Sequence, residues 1–562
     1  MATLEGTPEI VGMIGVIANP SEHVVVQEFF ELFKTPWEFY RSERQYEILI
    51  GCGNVTLPER LPKLLVLYGS QKLPLDAENE IKITFGQKEG RILTYEGMQI
   101  PIYGSSITFG ERGNGYEREE DSHQRAMYLD RSQGSNLARI GYDLFGEIRT
   151  LLTAGQPAGN AGIPTLELHI ALLRNLIVEC GLPLVEIPPV PDGYPFIACL
   201  THDVDHPSIR RHKLDHTILG FLYRATVGSL ISVLQGRQRV RSLLTNWWSA
   251  LKLPLVQLGF ARDFWSEFDR YPKLERGVPS SFFVIPFKDI PGRVEKGLAP
   301  KRRASRYGAG DVVGQIQVLK SSGCEIGLHG IDAWIDSYKG LEELEQIRQI
   351  TGAKVTGVRM HWLYQNEQSP VKLEKAGADY DSTVGYNQTI GYRAGTTQSY
   401  KPLETTHLLE LPLNIMDTAL FFPVYLNLSP DEARKQVGSI IENAVRFGGS
   451  VTVNWHDRSI APERLWGDFY VKLVDELKNR GAWFSTASNA VSWFRKRRSA
   501  VFESAGVDSD ALRVKIGMSG NEEVPGLRLR VYKPGEPAQD TAMRAMESDH
   551  FYEINLNHSV AS

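Results

Sequence analysis

Side chains able to bind a metal or to transfer protons follow four short apolar segments in the middle of this chain. They are Asp203 and Asp205 after 196–200, His329 and Asp332 after 324–328, Arg359 and His361 after 354–358, and His456 and Asp457 after 450–455. One such residue alone is more often a hydrogen-bonded residue of a protein core. Four occurrences at the same end of four predicted strands instead indicate one assembled site.

The spacing of these residues adds a geometric expectation. Asp203 and Asp205 are two positions apart in an extended segment, as are Arg359 and His361, so each pair can point to the same side. Two neighbouring carboxylates raise each other's pKa unless cations separate their roles, as a divalent metal near one and an arginine near the other would do. Imidazole and carboxylate ligands together suit zinc or another first-row divalent ion.

The elements that must position these side chains alternate between strands and helices. Helices are predicted over 312–322, which precedes Gly323, over 341–350, which precedes Gly352, and after Ser429, which has capping-box spacing. Parallel strands joined by helices form an α/β barrel or an open sheet. In such barrels the active site lies at the carboxyl ends of the strands, where the polar residues of this chain occur.

Five segments resemble the motifs of the polysaccharide deacetylase family, also called the nodulation-factor deacetylase homology domain or carbohydrate esterase family four. They are 201–205, 325–329, 357–361, 380–383 and 453–456. The resemblance implies a distorted (β/α) barrel. It also implies a hydrolase of carbon–nitrogen bonds other than peptide bonds, which removes N- or O-acetyl groups from a carbohydrate with a divalent metal ion. We expect that ion to be zinc.

The same resemblance implies roles for the matching residues. The expected roles are general base for Asp203, holder of that base for Arg359, metal ligands for Asp205 and His329, and general acid for His456. Asp381 either tunes His456 or accepts hydrogen bonds from the backbone of its own turn.

The sequence departs from the family pattern at one metal ligand. The family usually places a second histidine four residues after the first, and this chain has Ala333 at that position. His361 and Asp332 are the two candidate substitutes. We favour His361 because an imidazole preserves the number of neutral donors around the ion, whereas Asp332 can equally cap the helix that follows it.

Two other functions stay open at this point. Relatives of this fold hydrolyse small non-peptide amides, for which a closed pocket is expected rather than an open groove. A metal-free module that binds glycans without catalysis is the second alternative, and it would lack bound metal.

Composition excludes several classes of protein. The chain has 562 residues, with 62 Lys and Arg against 67 Asp and Glu, so it lacks the basic surplus of a dedicated nucleic-acid binder. Its four cysteines show no paired spacing. The N-terminus has no basic segment before its short apolar run, so we expect no secretory signal and a cytoplasmic protein. The region up to residue 190 resembles regions that accompany such catalytic domains in bacterial surface-sugar pathways. The sequence does not determine the oligomeric state.

Three regions are predicted along the chain. An N-terminal α/β accessory domain covers 1–190, the barrel covers 191–498 with an insertion at 207–277, and a small β-rich region covers 499–562. No stretch is expected to reach the roughly 18 apolar residues of a membrane span. The most apolar stretch, 219–234, contains Arg224, and we favour a helix packed on its own domain over one lying peripherally on a membrane surface.

Overall fold

A computed structural model of the chain describes residues 13–555 except 96, 111–117, 120–121, 132–133, 214, 267, 509–510, 518–522, 535–542 and 547–549. The chain forms two compact units. The first contains the described residues of Met1–Gln156, Ile163–Gly193 and Trp493–Ser562, and the second contains those of Pro157–Gly162 and Tyr194–Ser492.

The first unit is built on a six-stranded sheet that is parallel except at one edge. In sheet order its strands are Trp37–Phe39, Ile14–Ile17, Ile48–Cys52, Leu64–Tyr68, Asn136–Ile140 and Met127–Asp130. Its longer helices are His23–Phe33, Leu144–Leu152 and Thr165–Glu179. A small closed barrel is formed by Ile83–Tyr95, Met98–Phe109, Arg118–Glu119 and Ser122–Arg125. The predicted α/β character of the N-terminal region is therefore confirmed.

The C-terminal strands belong to this same first unit. Arg528–Tyr532 pairs antiparallel with Leu184–Glu186 on one side and with Met543–Ala545 on the other. A second sheet contains Val501–Asp508, Ala511–Gly517 and His550–Asn555. The sequence predicted 499–562 to be a separate region. Contacts between residues 346 positions apart, such as Glu186 and Tyr532, leave no local pattern in the sequence.

The second unit is built on a parallel sheet. In sheet order its strands are Leu409–Glu410, Tyr380–Asp381, Gly357–Met360, Glu325–Gly330, Ser280–Val284, Ile197–Val204, Ser450–Asn454 and Ile415–Met416, with Trp483–Phe484 beside the start of Ile197–Val204. The helices that pack around it are Val313–Ser321, Ser337–Thr351, Ser369–Ala376, Pro430–Phe447 and Gly467–Asn479, and the helix Ala487–Ser499 begins in this unit.

One segment of chain joins the two edges of this sheet. Leu409–Glu410 pairs with one edge strand and Ile415–Met416 with the other, with four residues between them. Within that link the backbone N–H of Leu411 donates to Asp381 O at 2.8 Å, and that of Asn414 donates to Thr452 O at 3.0 Å. The sheet is thereby curled into the distorted barrel that the sequence predicted.

The helix boundaries follow from capping residues. The Ser429 hydroxyl accepts a hydrogen bond from the Glu432 N–H, and Glu432 bonds back to the Ser429 N–H, which completes the predicted capping box. Gly352 ends its helix at φ 67°, a left-handed conformation that costs glycine little. These helices bury one apolar face each against the sheet and hold its strand ends in place.

Candidate active site

The carboxyl ends of four parallel strands meet at a cavity of about 530 Å³. Five of the six predicted site residues line this cavity, namely Asp203, Asp205, His329, His361 and His456. The sixth, Arg359, is completely buried behind Asp203. Parallel strands bring their ends to one edge, which explains why residues 253 positions apart in sequence, such as Asp203 and His456, share a cavity.

Three potential metal donors converge in the cavity. His361 Nδ1 lies 3.0 Å from His329 Nε2, and each of these nitrogens lies 3.3 Å from Asp205 Oδ1. Asp205 follows one strand, His329 belongs to a second, and His361 follows a third. The side chains therefore offer a carboxylate and two imidazoles to one point in space.

The hydrogen bonds on the far sides of both rings fix which nitrogens carry hydrogen. His329 Nδ1 lies 2.9 Å from Arg359 O and His361 Nε2 lies 3.0 Å from Arg303 O, and a carbonyl oxygen only accepts. Burial lowers the pKa of His361 to about 4, so this ring is neutral at pH 7. When both rings are neutral, these hydrogen bonds leave the two nitrogens that face each other as lone-pair acceptors.

These facing acceptors fit a bound cation. Asp205 Oδ1 is buried and makes no hydrogen bond within the described part of the chain. Three acceptors packed together without a hydrogen between them repel one another unless a positive charge satisfies all three. Carboxylate and imidazole donors of this kind suit a first-row divalent ion.

Asp332 and Ala333 do not take part in this cluster. Asp332 Oδ1 instead accepts a hydrogen bond of 2.7 Å from the Arg293 N–H. Ala333 is fully buried in the core, where it packs against the helix that contains Gly340. Of the two candidate substitutes for the missing histidine, the structure brings His361, and not Asp332, to the donor cluster.

Asp203 is held at both carboxylate oxygens. Arg359 Nη1 donates to Oδ1 at 3.2 Å and Asn454 Nδ2 donates to Oδ2 at 2.7 Å. Arg359 is itself fixed by Thr201 Oγ1 at 2.6 Å and by Ser382. Asp203 Oδ2 lies 3.9 Å from His329 Nε2, which places this carboxylate at the edge of the donor cluster. Asn454 was given no role from the sequence, although it lies in the segment 453–456 that resembles a family motif.

His456 is held by a carboxylate that the sequence did not reveal. Its Nδ1 lies 2.6 Å from Asp417 Oδ1, while Asp417 Oδ2 accepts hydrogen bonds from the His456 N–H and from Ser459 Oγ. Burial lowers the pKa of His456, but the charge and hydrogen bond of Asp417 outweigh it and raise this pKa to about 9. The imidazole is therefore protonated at neutral pH, with Nε2 lying 3.8 Å from Asp205 Oδ2.

Asp381 does not contact His456. Its carboxylate accepts a hydrogen bond from Thr383 Oγ1 at 2.5 Å and lies beside Glu410, and burial raises its pKa to about 6. Of the two roles considered for Asp381, the structure does not support tuning of His456, and Asp417 holds that position. A clue existed in the sequence, since Asp417 directly follows Ile415–Met416, but a two-residue strand has no detectable period.

Aromatic rings line the rest of the cavity. Trp362, Tyr364, Phe422 and Tyr425 contribute to its wall. Trp455 is fully buried and packs on Phe469 and Tyr470, so it offers no face to a ligand.

Solved structures similar to this chain include several sugar deacetylases. A protein from Mycobacterium smegmatis that is named as a polysaccharide deacetylase is 18% identical, with 55% of this chain and 95% of that chain covered and a TM-score of 0.34. A family 4 acetyl xylan esterase from Clostridium thermocellum, solved with a cobalt ion, is 14% identical over 53% and 91% of the two chains, with a TM-score of 0.23. A peptidoglycan deacetylase from Bacillus subtilis is 12% identical over 55% and 94%, with a TM-score of 0.23.

No protein-family model matches the chain, and no curated protein matches it either. The solved polysaccharide deacetylases are what this chain resembles. Likeness at this level carries no argument about activity, so the function rests on the geometry of the site.

Proposed function

We propose that this protein is a metal-dependent hydrolase that removes acetyl groups from an N-acetylated carbohydrate. The observation that carries the proposal is the position of two side chains at one cluster of metal donors. They are Asp203, whose carboxylate is fixed by hydrogen bonds, and His456, whose imidazole is protonated. Asp203 Oδ2 lies 3.9 Å from His329 Nε2, and His456 Nε2 lies 3.8 Å from Asp205 Oδ2. Amide hydrolysis needs a base for water and an acid for the leaving amine, and these two groups can supply both.

The residues Asp205, His329 and His361 would hold the metal, for which zinc is our first choice. When bound there, a divalent ion would polarise the acetyl carbonyl and make a nearby water more acidic. The two proton transfers of the reaction are carried out by side chains of the protein, Asp203 and His456.

Asp203 accepts the proton of the attacking water. Its two oxygens are already bonded to Arg359 and Asn454, so the carboxylate is oriented before substrate arrives. Arg359 is buried and donates hydrogen bonds to Ser382, just after the strand Tyr380–Asp381, so it acts as a positioning residue.

His456 donates a proton to the departing nitrogen. An amine is a poor leaving group unless it is protonated, and the salt bridge with Asp417 keeps the imidazole charged at neutral pH. This pairing supports an N-acetyl rather than an O-acetyl substrate. Aromatic rings in the cavity wall, such as that of Tyr425, are side chains of the kind on which a sugar can stack, which supports a carbohydrate.

The test is acetate release from an N-acetylated chito-oligosaccharide by the full chain loaded with zinc. We expect Asp203→Asn and His456→Ala each to lower kcat by roughly 100-fold or more, because each removes one proton-transfer group. Bound metal per chain should stay as in the wild type. Asp431→Asn, a change at an exposed carboxylate on a helix, is the control that should leave kcat unchanged. Wild-type turnover in either site variant would contradict the proposal.

A further inference from the structure

The most apolar exposed surface of the protein lies in the insertion, over residues 216–262. This stretch contains the helix His216–Tyr223, a π-helical turn Arg224–Gly228, and the helices Ser229–Leu234 and Val240–Gln257. Fourteen of the 28 exposed large apolar side chains that the structure describes lie within it. They are Leu219, Tyr223, Val227, Leu230, Ile231, Leu234, Val240, Leu244, Trp247, Trp248, Leu251, Leu255, Leu258 and Phe260.

One face of these helices is packed and the other is not. Ile218, Phe221 and Ala225 are buried with Trp265, whereas Leu234 is 79% exposed. We expected the helix at 219–234 to pack on its own domain. This holds for one face of the helix, and the other face is exposed. An apolar area of this size on one side of a helical hairpin marks a place where something else binds.

The charge of the same stretch is one-sided. Residues 216–262 carry six Lys and Arg side chains and no Asp or Glu, although the whole chain has a net charge of −5. The cations are Arg224, Arg237, Arg239, Arg241, Lys252 and Arg262. Exposed Leu, Trp and Phe beside Lys and Arg are the composition of helices that lie in the interface of an anionic membrane.

These helices are anchored in a way that favours lying on a membrane over crossing one. His216–Leu234 is long and apolar enough by length and composition to cross a bilayer, and 28% of its most apolar window is buried. Arg224, in the middle of this stretch, forms an ion pair with Glu463. Asn246 Oδ1 accepts the Glu463 N–H at 2.7 Å, so the second long helix is tied to the same residue. The middle of the first helix is therefore attached to the catalytic unit.

We propose that residues 216–262 dock this protein on an anionic lipid bilayer. The exposed leucines and tryptophans enter the boundary between head groups and acyl chains. The cations other than Arg224, which pairs with Glu463, lie among the anionic head groups. A second copy of this chain is a poorer occupant, because it would bring a surface with Lys and Arg and no Asp or Glu against another of the same kind.

Docking also determines where the candidate active site opens. His216, Thr217 and Arg224 line the same cavity as Asp205 and His456. The insertion that holds the membrane therefore also forms part of the cavity wall, and the substrate class that we infer is a sugar attached to a membrane lipid. This part of the inference rests on the proposed deacetylase function, whereas the docking itself does not.

The docking is tested by sedimentation of the full chain with vesicles of equal parts phosphatidylglycerol and phosphatidylcholine. We expect binding that weakens with added salt and with phosphatidylcholine alone. The double substitution Leu251→Asp and Phe260→Asp should reduce the bound fraction at least about tenfold. The matched control is Leu298→Asp, which changes an equally exposed leucine elsewhere and should bind as the wild type does.

Equal binding by the double variant, or no binding by the wild type, would overturn the docking. A wild-type dimer that the double variant dissociates would overturn it as well, since the face would then be covered by a second copy. For the substrate, acetate release is compared between N-acetylglucosaminyl phosphate on a lipid in these vesicles and the soluble sugar phosphate. Faster release from the lipid form supports the inference. Equal rates overturn the substrate class and leave the deacetylase function standing.

Discussion

At the scale of single residues, the site depends on how each titratable group is held by a neighbour. Asp417 keeps His456 charged, and Arg359 with Asn454 keeps Asp203 oriented. Two imidazoles in one cavity therefore have opposite charge states at neutral pH. His361 is neutral because it is buried, and His456 is protonated because a carboxylate lies against it.

Asp417→Asn should change the pH dependence of the reaction. Removing the carboxylate charge lowers the pKa of His456 from about 9, so protonated imidazole is lost at lower pH. We expect kcat to fall roughly 10–100-fold and the alkaline limb of its pH profile to move to lower pH. The profile is measured with the wild type and with Asp431→Asn as the control. If the alkaline limb of Asp417→Asn matches that of the wild type, a group other than His456 determines the alkaline pKa of the reaction.

His361→Ala should weaken metal binding while Asp332→Asn should not. The first change removes one of three converging donors, and we expect the affinity for zinc to fall at least about tenfold. The second leaves the donors intact, since Asp332 contacts the Arg293 N–H instead. Zinc titration of both variants with a chromogenic chelator measures the difference. Loss of zinc in Asp332→Asn alone would reverse the assignment.

Sequence patterns were sufficient for the residues at strand ends but not for their partners. Asp203, Asp205, His329, His361 and His456 follow apolar segments, so a local pattern marks them. Asp417 and Asn454 act through contacts with residues far away in the chain, and neither has a spacing that would single it out. The resemblance pointed to Asp381, which the fold places against Glu410 instead.

At the scale of elements, the helix Ser337–Thr351 supports the turn after His329. Glu343 accepts hydrogen bonds of 2.8 Å from the N–H groups of Ile331 and Asp332. Gly340 allows this helix to approach closely, since a Cβ atom there would lie 2.9 Å from Ala376 Cβ and 3.1 Å from Ala333 Cβ. The small residue at 333 therefore belongs to a packing contact that a histidine would disrupt.

Gly340→Ala and Gly438→Ala should have opposite effects on stability. The crowding at Gly340 costs about 1–3 kcal/mol, which exceeds the gain in helix propensity. A Cβ atom added at Gly438 would meet no atom within 4 Å, so alanine there should stabilise its helix by about 0.5–1 kcal/mol. Thermal unfolding midpoints followed by circular dichroism report both effects. A stabilising effect of Gly340→Ala would show that the helices Ser337–Thr351 and Ser369–Ala376 can move apart without loss of stability.

The sequence predicted most of these elements because the helices have caps and one apolar face each. The strands that close the barrel were missed for a physical reason. Leu409–Glu410 and Ile415–Met416 have two residues each, and their pairing depends on the curvature of the whole sheet. A short stretch of sequence does not reveal the curvature of the sheet.

At the scale of the whole molecule, the donor cluster links three separate strands of the barrel. Removing metal with a chelator should therefore lower the thermal midpoint as well as abolish acetate release. A ligand at 100 times its Kd stabilises the folded state by about 2.7 kcal/mol. Re-addition of zinc should restore both properties, and cobalt is compared in parallel. The double variant His329→Ala and His361→Ala should show a midpoint that chelator does not alter. A chelator-insensitive midpoint in the zinc-loaded wild type would contradict this link.

The segment that closes the sheet leads directly into Asp417. Pairing of this segment with both edges of the sheet therefore also places the Asp417 carboxylate against His456. Where 409–416 is not paired with both edges, His456 lacks the Asp417 carboxylate at its Nδ1, and its pKa falls from about 9. A partly opened chain would therefore hydrolyse acetylated sugars more slowly at neutral pH than the chain with its sheet closed.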